Sequence, residues 1–134
     1  MIGLDTNILV RYFVQDDIAQ SKLATRLIET QCTVTQPGLI SLVVLCELVW
    51  VFESAYQYEK SLICKLLQRL LMTAEFEIEP LLPVRAALKE YQGGNADFAD
   101  CLIQHLNHAS GCDYTFTFDR KAAKSQYGRL LRRE

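Results

Sequence analysis

The sequence has no cysteine pair at CxxC spacing and no charge-free apolar run as long as a membrane span, and it has only three prolines and six glycines in 134 residues. Each shortage excludes something. The five cysteines, Cys32, Cys46, Cys64, Cys101 and Cys112, are odd in number and widely spaced, which argues against a disulfide framework and a zinc knuckle. They read as small buried hydrophobes in a reducing cytosol. No membrane span is expected. The chain enters Met1-Ile2-Gly3-Leu4-Asp5 without a basic leader or a cleavage site, so a cytoplasmic protein is expected. Repeats, low-complexity runs and Pro/Gly/Ser linkers are missing too, and the length suits one compact domain, residues 1–134.

Half of the residues are hydrophobic and 22% are charged, the balance of a globular chain. The net charge of −2 is unevenly spread. Arg120, Lys121, Lys124, Arg129, Arg132 and Arg133 face one acid, Glu134, giving the last fifteen residues +5 and leaving −7 on the first 119. A general nucleic-acid coater would be basic throughout. The basic terminus reads either as a solvated helix end and tail or as a patch that positions phosphates.

Met1 to Asp5 is a short apolar strand candidate. A helix follows, with Ile8, Leu9, Tyr12 and Phe13 at helical spacing. Asp16-Asp17 breaks it, and Ile18 to Glu29 forms a second helix with Leu23, Leu27 and Ile28 on one side. Cys32 to Thr35 is a strand candidate ended by Pro37-Gly38. Leu39 to Phe52 is too long for a strand and is expected as a buried helix. Glu59 to Thr73 is amphipathic, with Leu62, Leu66, Leu67 and Leu70 at helical spacing. Phe76-Glu77-Ile78-Glu79 alternates as a strand with one wet face, and its acids suit a sheet edge. Helices over Pro83–Tyr91 and Asp97–Ala109, a strand over Tyr114–Phe118 and a short helix from Asp119 complete the chain. Strands separated by helices predict an α/β domain, a three-layer α/β/α sandwich with a short, mainly parallel central sheet.

Five acids stand out. Asp5 and Asp119 each follow a predicted strand and open a helix, where an aspartate is either a helix cap or a ligand at the carboxyl edge of a sheet. Asp97 and Asp100 open another helix three residues apart, on one face, and there too capping and first-turn placement compete with ligation. Glu47 is the only charge between Pro37 and Phe52. A buried charge there needs a partner or a metal, and no Lys or Arg lies within a helical turn; solvent exposure or a distant arginine are the other readings. Carboxylates held ~4 Å apart repel by about 4 kcal/mol per pair at an effective dielectric near 20. Protonation or a cation relieves that, and all-oxygen ligation suits Mg²⁺ or Mn²⁺. His105 and His108 read as part of a helix surface.

The order of these motifs resembles the PIN domain, particularly the small single-domain kind found as the toxin of VapBC-type toxin–antitoxin pairs. Leu4-Asp5-Thr6-Asn7 resembles that family's opening strand-end motif. Ile40-Ser41 ahead of Cys46-Glu47-Leu48 is similar to its hydroxyl residue and helix-borne Glu, Asp97-Phe98-Ala99-Asp100 to its third acidic motif, and Thr117-Phe118-Asp119 to its closing Thr-x-Asp. The resemblance implies a parallel sheet with the amino-terminal strand near its centre, and divalent-metal-dependent cleavage of RNA. It implies Asp5, Glu47, Asp100 and Asp119 as the core catalytic and metal-holding acids, and Asp97 as an auxiliary ligand. Thr6, Asn7, Ser41 and Thr117 would be supporting polar residues. It further implies a homodimer and a cognate antitoxin protein. Gln104, His105 and Asn107 depart from the small residues that usually follow the third motif, and could alter packing or substrate contact near the site. Arg11 and the basic terminus are candidates for holding the RNA backbone. A haloacid-dehalogenase-type site would want an acid at position 7, which is Asn, and a phospho-receiver would want more acids near its first strand. The competing reading is a PIN-like module that no longer cuts and acts by binding RNA or protein.

Overall fold

The computed structural model describes residues 1–132, so Arg133 lies outside the described residues. The chain divides into two compact units, Met1–Glu79 and Pro80–Glu134. Seven helices and five short strands occur among the described residues, and every strand pair is parallel. The architecture is α/β.

The first unit runs β1 (Ile2–Gly3), α1 (Thr6–Val14), α2 (Ile18–Gln31), β2 (Gly38–Leu39), α3 (Leu42–Ser54), α4 (Lys60–Met72) and β3 (Phe76–Glu77). Its sheet has the order β1-β2-β3, with Ile2 opposite Gly38 and Gly38 opposite Phe76. Strand β2, and not the amino-terminal strand, is the middle of this sheet. β3 lies at an edge, as its acidic alternation suggested, with Phe76 and Ile78 buried and Glu79 exposed.

The strand expected over Cys32–Thr35 is not formed. Those residues bend instead, with Thr33 N–H donating to the Gln36 carbonyl (3.0 Å) and Gln36 N–H to Thr33 Oγ1 (2.9 Å). Pro37-Gly38 starts the strand that it was expected to end. A Cβ at Gly38 would lie 2.8 Å from both Cys32 Sγ and Leu4 Cδ1, so a larger residue in β2 would have to displace these two buried side chains.

Side-chain caps set the helix starts. Asp17 accepts from Gln20 N–H (2.9 Å) at α2, and Ser41 from Val44 N–H (3.3 Å) at α3. Helix α3 therefore begins three residues later than expected, because Leu39 and Ile40 are spent on the β2 ladder, where Ile40 N–H donates to Glu77 O (3.0 Å). It buries Leu45, Leu48, Val49 and Phe52, a helical stripe worth roughly 1.5–3 kcal/mol per side chain. In α2 the buried face is Ser21, Ala24 and Ile28, while Leu23 is exposed. Small residues at that face let α2 pack closely on α1.

The second unit runs α5 (Leu81–Gly93), α6 (Phe98–Ala109), β4 (Thr115–Thr117), α7 (Arg120–Ala123) and β5 (Gly128–Leu130). Helices α5 and α6 pack together, with Tyr91 and Phe98 edge to face at 5.7 Å. Helix α5 starts two residues before Pro83, which sits in the first turn where its missing N–H costs nothing. The basic terminus is not merely a helix end and tail: Gly128, Arg129 and Leu130 form β5, parallel to β4. Among the described residues no helix is long and apolar enough to cross a membrane.

Candidate active site

In the first unit β1 and β2 run parallel, so the segments after them leave the same edge of the sheet. Asp5 lies two residues beyond β1 and Ser41 two beyond β2. Asp5 is exposed and precedes α1, where its Oδ1 accepts from Thr6 N–H at 2.6 Å. An ordinary capping side chain reaches the second or third N–H of the helix. Here the carboxylate bonds only the first, and among the described residues Oδ2 has no hydrogen-bond partner.

Thr6 is buried, and its Oγ1 donates to Glu47 Oε1 at 2.9 Å. This bond ties the start of α1 to α3, two helices that pack on each other. Glu47 itself is exposed, not buried as its apolar neighbours suggested. Val43, Glu47 and Trp50 share the outward face of α3 while Leu45, Leu48 and Phe52 take the inner one, so the single charge of the segment points to water. Asn7 is exposed, and Ser41 acts as the α3 cap. Arg11 is engaged by Asp16 (2.9 Å) and Gln20 (2.7 Å).

In the second unit Asp97 and Asp119 both bear on Asp100. Burial first, then the charges of Asp119 and Asp97, push the Asp100 carboxyl above its ordinary value. Asp97 occupies the N-cap position of α6 without making a side-chain capping bond, so capping does not account for it. Asp119 does cap: its Oδ1 accepts from Lys121 N–H (2.8 Å) and Ala122 N–H (2.9 Å) at α7. That leaves Oδ2 without a partner among the described residues. Thr117 Oγ1 accepts from Asp119 N–H at 3.0 Å and fixes the turn out of β4.

Among the described residues no three His, Cys, Asp or Glu side chains are gathered tightly enough to grip an ion as they stand. The donor chemistry around Asp100 nevertheless fits a hard cation: its carboxyl is pushed up by burial first and then by the charges of Asp119 and Asp97, and all three side chains offer oxygen.

The polar residues that follow Asp100 on α6 are engaged within the second unit. Gln104 is buried and its Nε2 donates to the Ala122 carbonyl at 2.8 Å. His105 is buried rather than on a helix surface, with Nε2 3.1 Å from Glu90 Oε1, and Glu90 Oε2 accepts from Gln126 N–H (2.8 Å). Asn107 Nδ2 donates to Thr115 Oγ1 (2.9 Å), and the ring of His108 stacks on Tyr127 at 3.7 Å. Nothing in the local sequence singled out Glu90, whose partners lie 15 and 36 residues away.

Basic residues cluster in the same unit. Arg120, Lys124, Arg129 and Arg132 line a shallow cavity of about 540 Å³, and the Arg129 guanidinium lies 3.6 Å from the centre of the Tyr114 ring.

An acid two residues beyond a parallel strand, found at both β1 and β4, together with further acids at α3 and at the start of α6, defines an α/β protein with carboxylates at strand ends. The family model of the PIN domain matches residues 2–126, across both units, and the chain belongs to that family, with its α/β/α fold. Membership points to a nuclease, a class that typically uses divalent metal ions. No curated protein matches the sequence closely enough to count as a relative.

Proposed function

We propose that this protein is a divalent-metal-dependent endoribonuclease, residues 1–134 acting as one PIN-like domain, and the toxin of a VapBC-type toxin–antitoxin pair. The observation that supports the reading is the carboxylate cluster of the second unit, where partial burial first, and then the charges of Asp119 and Asp97, hold the Asp100 carboxyl above its ordinary value. Such a cluster is costly without a cation.

Asp5, Glu47, Asp100 and Asp119 are the acids assigned to hold Mg²⁺ or Mn²⁺, with Asp97 auxiliary. Bound there, a divalent ion supplies Lewis acidity that neutralises phosphate charge and lowers the pKa of water. The chain's own groups orient and screen. Asp119 and Asp5 each spend one carboxylate oxygen on backbone N–H groups, and the other would be available to a cation. Thr6 fixes Glu47 through a single donated bond. Asn7, Ser41 and Thr117 support the acids on either side. Arg120, Lys124, Arg129 and Arg132 are suited to the RNA backbone, offsetting the repulsion of an acidic body. Water is the nucleophile, so no side chain need be covalently modified.

A cytoplasmic setting agrees with five free cysteines, three of them buried. Val43 and Trp50, both about two-thirds exposed, flank Glu47 on α3 and offer an apolar footing for the antitoxin, whose arginine would pair with the acids. A homodimer belongs to the same reading and is read by size exclusion. The nuclease itself is tested by incubating purified protein with RNA in Mg²⁺ or Mn²⁺, with and without chelator. Internal cleavage that chelator abolishes is expected. RNA bound but left intact would favour the non-cutting module.

A further inference from the structure

We propose that Gln104 is a positioning residue that sets where Asp119 presents its carboxylate. This rests on the nuclease reading, in which Asp119 holds the ion. Helix α6 places Gln104 one turn beyond Asp100, on the same face. Its side chain is 2% exposed, and a primary amide so deep is destabilising unless it is bonded. The bond it makes goes to α7: Nε2 donates to the Ala122 carbonyl at 2.8 Å. Ala122 is the residue whose N–H donates to Asp119 Oδ1 at 2.9 Å. One residue of α7 therefore joins Gln104 to Asp119.

Three features say that this bond is kept for placement. Helix α7 has only four residues and cannot fix its own direction, so an outside anchor decides it. Gln104 Oε1 is buried without a partner among the described residues, a cost that a core leucine or methionine would avoid. The Ala122 carbonyl also accepts from Ser125 N–H at 3.2 Å, so it does not need Gln104 for satisfaction. From the opposite side, Gly128 of β5 keeps the space open, since a Cβ there would run into the Ala122 carbonyl and lie 2.8 Å from Gln104 Nε2.

The test is Gln104→Met, which keeps length and volume and removes the donor, measured with Mn²⁺ alone and with RNA. Outer partners of metal-holding side chains typically change affinity or activity by roughly 10- to 100-fold, and a loss in that range is expected for Mn²⁺ binding. kcat should fall more than KM changes, with thermal stability kept or raised. In an Asp119→Asn background the same substitution should have no further effect on Mn²⁺ affinity, because the two residues act as one. The proposal is overturned if Gln104→Met binds Mn²⁺ and cleaves RNA as wild type does, or if its loss is undiminished without the Asp119 carboxylate. Wild type that neither binds Mn²⁺ nor cuts RNA overturns the nuclease reading as well, a different outcome from a wild-type-like variant. Should the variant not fold, hydrogen exchange of the wild-type Gln104 side-chain amide decides. One slowly exchanging proton is expected, and exchange of both at the rate of an exposed glutamine overturns the proposal.

Discussion

Thr6 Oγ1 donates a 2.9 Å hydrogen bond to Glu47 Oε1, so a buried hydroxyl beside Asp5 orients an exposed carboxylate 41 residues away in sequence. Thr6→Val keeps the shape and removes the donor. Glu47 can turn to water, so stability should fall by no more than about 1.5 kcal/mol. RNA cleavage should fall by roughly 10-fold, as for other residues that support an ion-holding group. Melting curves and cleavage rates on the same preparation separate the two effects. Unchanged cleavage would remove Thr6 from the supporting set.

Asp119 has two duties, and two substitutions divide them. Asn is as good a cap as Asp, so Asp119→Asn should leave melting nearly unchanged while cleavage is lost. Asp119→Ala removes the bonds to Lys121 and Ala122 as well and should cost about 1 kcal/mol more. If both variants cleaved normally, Asp119 would be a cap and nothing else.

Asp100 gives a pH signature. Its folded-state pKa lies above the ordinary carboxyl value, through burial first and then Asp119 and Asp97. The folded chain therefore holds this proton more tightly than the unfolded one. The penalty is fully present above the folded pKa and disappears as pH falls through it toward the unfolded value. In chelator at neutral pH, Asp100→Asn should melt higher than wild type while cleaving no RNA. Added Mn²⁺ should raise the melting temperature of wild type and not of the variant. Equal melting of the two proteins in chelator would contradict the crowding of charge around Asp100.

Asp16 carries the opposite sign. The hydroxyl of Tyr56, bonded to Asp16 Oδ2 at 2.8 Å, is the largest cause that holds this carboxyl below its ordinary value, with Arg11 adding to it. The stability it contributes is present above the unfolded carboxyl value and is lost as pH falls through the folded one. Tyr56→Phe should flatten the acid side of the melting-temperature profile and leave cleavage at neutral pH unchanged. An unaltered acid limb would show that the bond does not matter in solution.

Much of this was legible in the sequence, and the misses have physical causes. Most of the helices are legible because their apolar positions recur at helical spacing, and Asp119 stands between a strand and a helix, where an aspartate caps. The strands are two or three residues long, so alternation registers only at Phe76–Glu79, around β3. β2 was misplaced because Pro37-Gly38 looks like a terminator, whereas Gly38 is there for the close approach of Leu4 and Cys32. β5 was hidden by its charge. Glu47 reads as a costly buried charge because its neighbours are apolar on nearly all sides of α3, with solvent exposure as another reading, and it is the exposed one that the structure has, with Val43 and Trp50 exposed beside it. The burial of His105 depends on Glu90 and Tyr127, partners that no local pattern brings together.

The most direct measurement is the rate of RNA cleavage in Mn²⁺ by wild type, Asp5→Asn, Asp100→Asn and the double variant. Asp5 belongs to the first unit and Asp100 to the second. If both carboxylates serve one reaction, each single substitution should abolish most of the activity and the double should be scarcely worse than either. Cleavage that survives either single substitution at the wild-type rate, or no cleavage by wild type at all, would contradict the assignment of these acids to one ribonuclease reaction.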